Sequence, residues 1–247
     1  IGAIFLYSSL NSNKEKIELP QIKNKPDNSE KILAGMEDFR PPSKLEDDIK
    51  RGEASHSKTL KEKGVLINDN VLKRIMESKL TEIDLQNCSF KLSKDLVLPD
   101  NYTIESFDVT SCEYIDNQFV KHLSAMKRLK AVELGKTAVT EEGVVELAKY
   151  KTLQDIELDN LPVGDSAIIP LAENLTLTKL DLPDTNIGDK TLEVLEKEKT
   201  LLKLNVQGCK DISQKAQKKF HNKRPDCQFY SEYFSEKEHK TIQKNVI

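Results

Sequence analysis

The chain has 247 residues, of which 37% are hydrophobic and 32% charged, so it is long and apolar enough to bury a core of its own. It contains no Trp and only 6% aromatic residues, which suits a core packed from Leu, Ile and Val. A net charge of −3 gives no global reason to expect a nucleic-acid partner, and one folded domain is expected.

Residues 1–10 open on the apolar run IGAIFLY. Seven apolar residues cannot cross a bilayer, which needs about 20. The run is expected to be the end of a membrane-spanning helix that starts upstream; a remnant of a targeting sequence and a plain hydrophobic arm are the alternatives. Residues 11–64 are rich in Lys, Glu, Asn and Ser and include Pro20, Pro26, Pro41 and Pro42. Such a stretch has too little apolar surface to offset its ordering entropy, and it reads as an extended linker or arm. One short helix is expected inside it, from about Ser43 to Arg51, with Ser43 as cap and Glu46, Asp47 and Asp48 in the first turns.

From Val65 onward the composition changes. Val65, Leu66 and Ile67, followed by Leu72, Ile75 and Met76, predict half a structural unit with an amphipathic helix, acting as an N-terminal cap. Then a period appears. Apolar residues at positions 1, 4 and 6 recur as Leu80/Ile83/Leu85, Ile104/Phe107/Val109, Leu129/Val132/Leu134, Leu153/Ile156/Leu158, Leu177/Leu180/Leu182 and Leu201/Leu204/Val206. The first positions are 24, 25, 24, 24 and 24 residues apart. That spacing resembles the leucine-rich repeat, whose units each supply a strand and a returning segment and must stack to bury their apolar faces. The predicted fold is an α/β leucine-rich-repeat solenoid, a horseshoe of about six 24-residue repeats with a parallel sheet on its concave face, over residues 65–230.

The returning segments read as helices. Glu141 to Tyr150 is expected to turn Val144, Val145, Leu147 and Ala148 inward, with Thr140 as N-cap, and Asp189 to Lys197 to do the same with Leu192 and Leu195. A last helix, Ser213 to Lys223, leads to a final strand near Gln228 and Phe229, and residues 231–247 form a polar tail. Cys88, Cys112 and Cys209 each fall three residues after the sixth core position, where a small side chain turns inward to meet loop carbonyls. A Cys88–Cys112 disulfide is left open. No metal or cofactor is expected: there is no Cys/His spacing for zinc, no phosphate-binding glycine loop, no nucleophile elbow and no metalloprotease motif. His56, His122, His221 and His239 are scattered and predict no catalytic centre.

The residue between core positions four and six of each strand should point to the concave face. That column reads Asp84, Asp108, Glu133, Glu157, Asp181 and Asn205. Five successive carboxylates across a sheet repel, and the column is expected to dock a basic segment of a protein partner; a merely solubilising face is the alternative. At the C-terminal end Lys215, Lys218, Lys219, Lys223 and Arg224 make a basic helix, read as a solvated cap or a contact for anionic lipid.

Between Leu80 and Pro162 the chain carries Ile83-Asp84-Leu85 with Cys88, then Ser111-Cys112-Glu113-Tyr114-Ile115-Asp116 before Leu123-Ser124, then Val139-Thr140 with Gly143 and Leu147, then Leu161-Pro162. This order resembles the mitochondrial leucine-rich-repeat family of ATP synthase coupling factor B (subunit s) and the distal membrane-arm assembly component of respiratory complex I. The resemblance implies a non-catalytic accessory or assembly subunit at the mitochondrial inner membrane. The chain departs from it by two further repeats after Pro162 and by its long N-terminal stretch. A soluble substrate adaptor of the F-box kind, an enzyme regulator of the ribonuclease-inhibitor kind and an envelope-anchored bacterial repeat protein also fit, with cytoplasm or bacterial envelope as the corresponding locations.

Overall fold

A computed structural model describes residues 45–173 and 176–234. Among the described residues ten strands and seven α-helices follow one another. They are α1 (Leu45–Ala54), β1 (Thr59–Lys61), β2 (Leu66–Asn68), α2 (Asp69–Met76), β3 (Glu82–Asp84), β4 (Ser89–Lys91), β5 (Ser106–Asp108), α3 (Asn117–His122), β6 (Ala131–Glu133), α4 (Glu141–Leu147), β7 (Asp155–Glu157), α5 (Asp165–Ala172), β8 (Lys179–Asp181), α6 (Asp189–Leu195), β9 (Lys203–Asn205), α7 (Gln214–Lys223) and β10 (Gln228–Tyr230). Eight strands form one parallel sheet in the order β1-β3-β5-β6-β7-β8-β9-β10, while β2 and β4 pair separately, also in parallel.

The register explains the period. Leu60, Ile83, Phe107, Val132, Ile156, Leu180, Leu204 and Phe229 lie side by side in the centre of the eight strands, and all are buried. Positions one and six of every expected core triplet are buried as well. Each strand then turns in the same way. The residue after the turn's first position (Asn87, Ser111, Lys136, Asn160, Asp184 and Gly208 in turn) takes a left-handed backbone, with φ between 54° and 76°. For a non-glycine residue this costs about 1–2 kcal/mol. Main-chain bonding to the next repeat offsets it: the N–H of Asn87 donates to Thr110 O, Ser111 to Gly135 O, Lys136 to Asp159 O, Asn160 to Pro183 O and Asp184 to Gln207 O, at 2.8–3.0 Å.

The residue after the left-handed one is buried or half-buried, and where it is Cys or Thr its side chain donates to a main-chain carbonyl; Leu161 fills the slot with an apolar side chain. Cys112 Sγ lies 2.9 Å from Leu85 O, Cys209 Sγ 3.1 Å from Leu182 O, and the Thr137 and Thr185 hydroxyls donate to Leu134 O and Leu182 O. The four cysteines are free thiols, Cys88 and Cys112 included. Helices α3 to α7 pack each against the next on the other side of the core. Their N-termini are tied by a second ladder. Asn117 Oδ1 receives the Thr140 N–H, Glu141 the Gly164 N–H, Asp165 the Gly188 N–H and Asp189 the Ser213 N–H.

Several expectations change at this level. The boundary at 65 is too late: β1 lies inside the stretch 11–64 read as a linker, it pairs with β3, and Leu45, Ile49 and Leu60 are buried in the core. The expected helix there runs Leu45–Ala54, and Ser43 lies outside the described residues. Leu66 and Ile67 belong to the separate β2–β4 pair instead of the main sheet. Thr140 stands at the N-cap position of α4, but its hydroxyl caps no N–H of that helix and accepts from Asn117. Val145 faces outward and is 40% exposed, because α4 ends at Leu147 and buries only the side carrying Gly143, Val144 and Leu147. Residues 1–10 and the tail beyond 234 lie outside the described residues.

Candidate functional site

Residues two apart on a strand share a face. Since the middle residue of each strand is buried, its neighbours stand together on the open side of the sheet, and the register sets them in two rows. The first row reads Thr59, Glu82, Ser106, Ala131, Asp155, Lys179, Lys203 and Gln228. The second reads Lys61, Asp84, Asp108, Glu133, Glu157, Asp181, Asn205 and Tyr230. Asp84, Asp108, Glu133, Glu157 and Asp181 are therefore direct neighbours, at strand spacings of about 4.8 Å.

Both ends of this stripe are compensated by the chain itself. Lys61 Nζ lies 3.4 Å from Asp84 Oδ2. At the other end Lys179 Nζ is 3.2 Å from both Asp155 and Asp181 and 3.7 Å from Glu157. Lys203 reaches Asp181 at 3.4 Å and sits over the Tyr230 ring. Burial opposes the charge on Lys179, yet Asp181 and Asp155 outweigh it and hold the ammonium above the usual lysine range.

The centre differs. Asp108 accepts from the Gln86 side chain at 2.5 Å and from the Thr110 N–H at 2.8 Å. Among the described residues no cation stands at ion-pair distance from Glu133. Burial pushes its carboxyl up to about 7, reinforced by the charges of Asp108 and Glu157 and opposed by Lys179. Glu157 is raised too, again chiefly by burial. Next along the same face come Thr110, Gly135 and Asp159. Asp159 is 6% exposed, with Oδ2 3.3 Å from Lys136 Nζ and Oδ1 without a hydrogen-bond partner. Its carboxylate leans over Gly135, where any Cβ would collide with Oδ1. Asp181 Oδ1 is likewise buried and unpartnered. The face is thus rich in acceptors and short of donors.

Residues 173–195, running from the end of α5 through β8 to the end of α6, match the family model described as a leucine rich repeat. The match supports a leucine-rich-repeat protein. No curated protein matches the chain. The leucine-rich-repeat match lies at the lysine-compensated end of the acidic stripe, since β8 carries Lys179 and Asp181.

Other candidate groups do not converge. His122 and His221 sit half-buried on α3 and α7, and His56 is exposed between α1 and β1. Burial raises the thiols of Cys112, Cys209 and Cys227, the last to about 12, which suppresses the nucleophilic thiolate. No group of three His, Cys, Asp or Glu among the described residues is arranged to hold a metal ion. The basic C-terminal cluster needs one correction. Arg224 is 0% exposed, because its guanidinium donates to Leu195 O, Glu198 O and Leu201 O and to Asp226. It cannot meet a lipid surface. Lys219 and Lys223 pair with Glu196, while Lys215 and Lys218 stay exposed.

Lys61 and Gln86 escaped the sequence reading. Lys61 lies in the stretch taken for a linker, although Leu60 precedes Ile83 by 23 residues and so extends the period one step. Gln86 lies in a turn and has no periodic signal.

Proposed function

We propose that this leucine-rich-repeat chain is a non-catalytic interaction module that docks a basic segment of a protein partner on the open face of its sheet. The observation that carries the reading is the charge imbalance at the centre of that face. Lys61, Lys179 and Lys203 offset part of the charge toward the two ends, while among the described residues Asp108 and Glu133 on β5 and β6 have no cation at ion-pair distance. A like-charged row in a half-buried setting concentrates potential and favours a counter-charge from outside.

The finer part of the proposal is an accessory or assembly role at a membrane complex. The apolar run of residues 1–7 and the resemblance to the mitochondrial coupling-factor family support it. No helix among the described residues is long and apolar enough to cross a membrane, so an anchor would have to come from outside them.

The test is capture of a basic partner by the parent chain and by a Glu133→Gln/Glu157→Gln double variant over a salt series. The double variant should bind roughly tenfold or more weakly at low salt, and with a shallower salt dependence, because screening acts on the charge term. Equal binding at every salt concentration would move the docking site off this face.

A further inference from the structure

Along a strand of a parallel sheet, the main-chain N–H and C=O of one residue face one neighbour and those of the next residue face the other. At the N-terminal edge β1 pairs with β3 alone. The Glu82 N–H donates to Lys58 O and the Glu62 N–H to Asp84 O, and these bonds set the phase. Leu60 turns its main-chain groups toward β3, so Thr59 and Lys61 turn theirs outward. Among the described residues the main-chain groups of Thr59 and Lys61 make no hydrogen bond.

Helix α1 stands beside this edge and closes only part of it. Gly52 abuts the Thr59 carbonyl, so closely that a Cβ would lie 2.8 Å from the oxygen. Between the two elements lies a cleft of about 600 Å3, walled by residues 59–62 on one side and by Asp48, Arg51, Gly52 and Ser55 on the other. The outward N–H and C=O of Lys61 therefore open into a cleft with a helix as its far wall. An extended main chain is the ligand that matches such an edge, because it offers acceptors and donors at the same two-residue repeat of about 6.6 Å. The charges select further. Asp48, Glu62 and Glu82 line the cleft against Arg51 and Lys61. Arg51 is bonded to Asp48, and Lys61 is divided between Glu82 and Asp84. A basic residue is received there more readily than an acidic one.

We propose that this cleft is a second docking site, separate from the acidic stripe, in which an extended segment of a protein partner carrying a basic residue adds to the sheet beside β1. The segment's main chain accepts from the Lys61 N–H and donates to the Lys61 C=O, and α1 covers its far side. It stops at Gly52, where helix and strand close on each other. The short edge and the helix beside it admit one segment and not an extending sheet.

The test uses the full chain and a blocked heptapeptide of alternating valine and lysine, followed through amide shifts in NMR. Saturable shifts at Gly52, Thr59 and Lys61 are expected, equal in Glu133→Gln/Glu157→Gln. No shift at these amides with about 5 mM peptide overturns the proposal. Loss of the shifts in the double variant places the peptide on the acidic stripe and overturns it too. Lys61→Pro removes an N–H that the β1–β3 ladder does not use, and such an edge tolerates proline. Affinity should fall about tenfold or more, whereas Lys61→Gln, which keeps the N–H, should lose no more than about threefold. The same peptide N-methylated at every residue should not bind, and this arm stands even if Lys61→Pro fails to fold. Equal binding by the methylated peptide, or by Lys61→Pro, overturns main-chain docking at β1.

Discussion

Arg224 carries its charge into a site without solvent because three main-chain carbonyls and the Asp226 carboxylate converge there. The same bonds hold the Asp226 carboxyl below its usual range. Arg224→Met would fill much of the volume but leave the carbonyls of Leu195, Glu198 and Leu201 without their donor. A loss of about 3–5 kcal/mol is expected, read as a lower urea midpoint at unchanged slope. A loss under about 1 kcal/mol would mean that water replaces the guanidinium. Glu133 behaves oppositely. Its folded carboxyl titrates above its unfolded value, so the stability it contributes is full below about pH 4.5 and is lost as pH rises through about 7. Glu133→Gln should therefore match the parent most nearly at about pH 4 and exceed it at pH 8 by roughly 1–2 kcal/mol, after allowance for screening. A variant-minus-parent difference that stays the same from pH 4 to pH 8 would show that Glu133 ionises normally.

At the scale of elements, the N-terminal edge of the sheet is the instructive case. A bare edge strand invites pairing with other chains. Here β1 takes the edge and α1 packs against it, with Gly52 close enough that a Cβ would meet Thr59 O at 2.8 Å. Arg74 on α2 ties α1 down through Glu46 and Glu53, each at 3.0 Å. A chain starting at Val65 would lose the burial of Leu45, Ile49 and Leu60, about 1.5–3 kcal/mol each. It should melt several degrees lower and self-associate through the uncovered edge of β3, whereas a chain starting at Leu45 should keep most of its stability. Thermal unfolding and light scattering would check both; equal melting temperatures would return α1 and β1 to the status of a linker. The composition of 11–64 hid these elements because the few apolar residues of 45–60 are spaced among charges, most of which stay on the outer side while Asp48 is buried.

At the scale of the whole repeat array, each inner strand is held by a neighbour on both sides and each terminal strand by one. In such an array local stability follows the number of neighbours. Amide exchange should be slowest at Val132, Ile156 and Leu180 in the middle strands and faster at Leu60 and Phe229. Uniform protection from β1 to β10 would instead mark a single all-or-none unit. The acidic stripe spans these same middle strands, so its carboxylates are placed by the most stable part of the sheet and need little ordering when a partner arrives.

By itself the sequence determined the period, the parallel strands and the order of the carboxylates on one face. A period of 24 residues with apolar positions 1, 4 and 6 can bury its leucines in one way, by stacking, and alternation along a strand then decides which residues face out. It did not determine which charges are matched. Lys61 meets Asp84 only because β1 pairs with β3, Lys179 meets three carboxylates from two strands, and Arg224 vanishes into a ring of carbonyls contributed by residues 195, 198 and 201. Charge balance depends on distances of a few ångströms between residues far apart in the chain, and those distances exist only once the repeats have stacked.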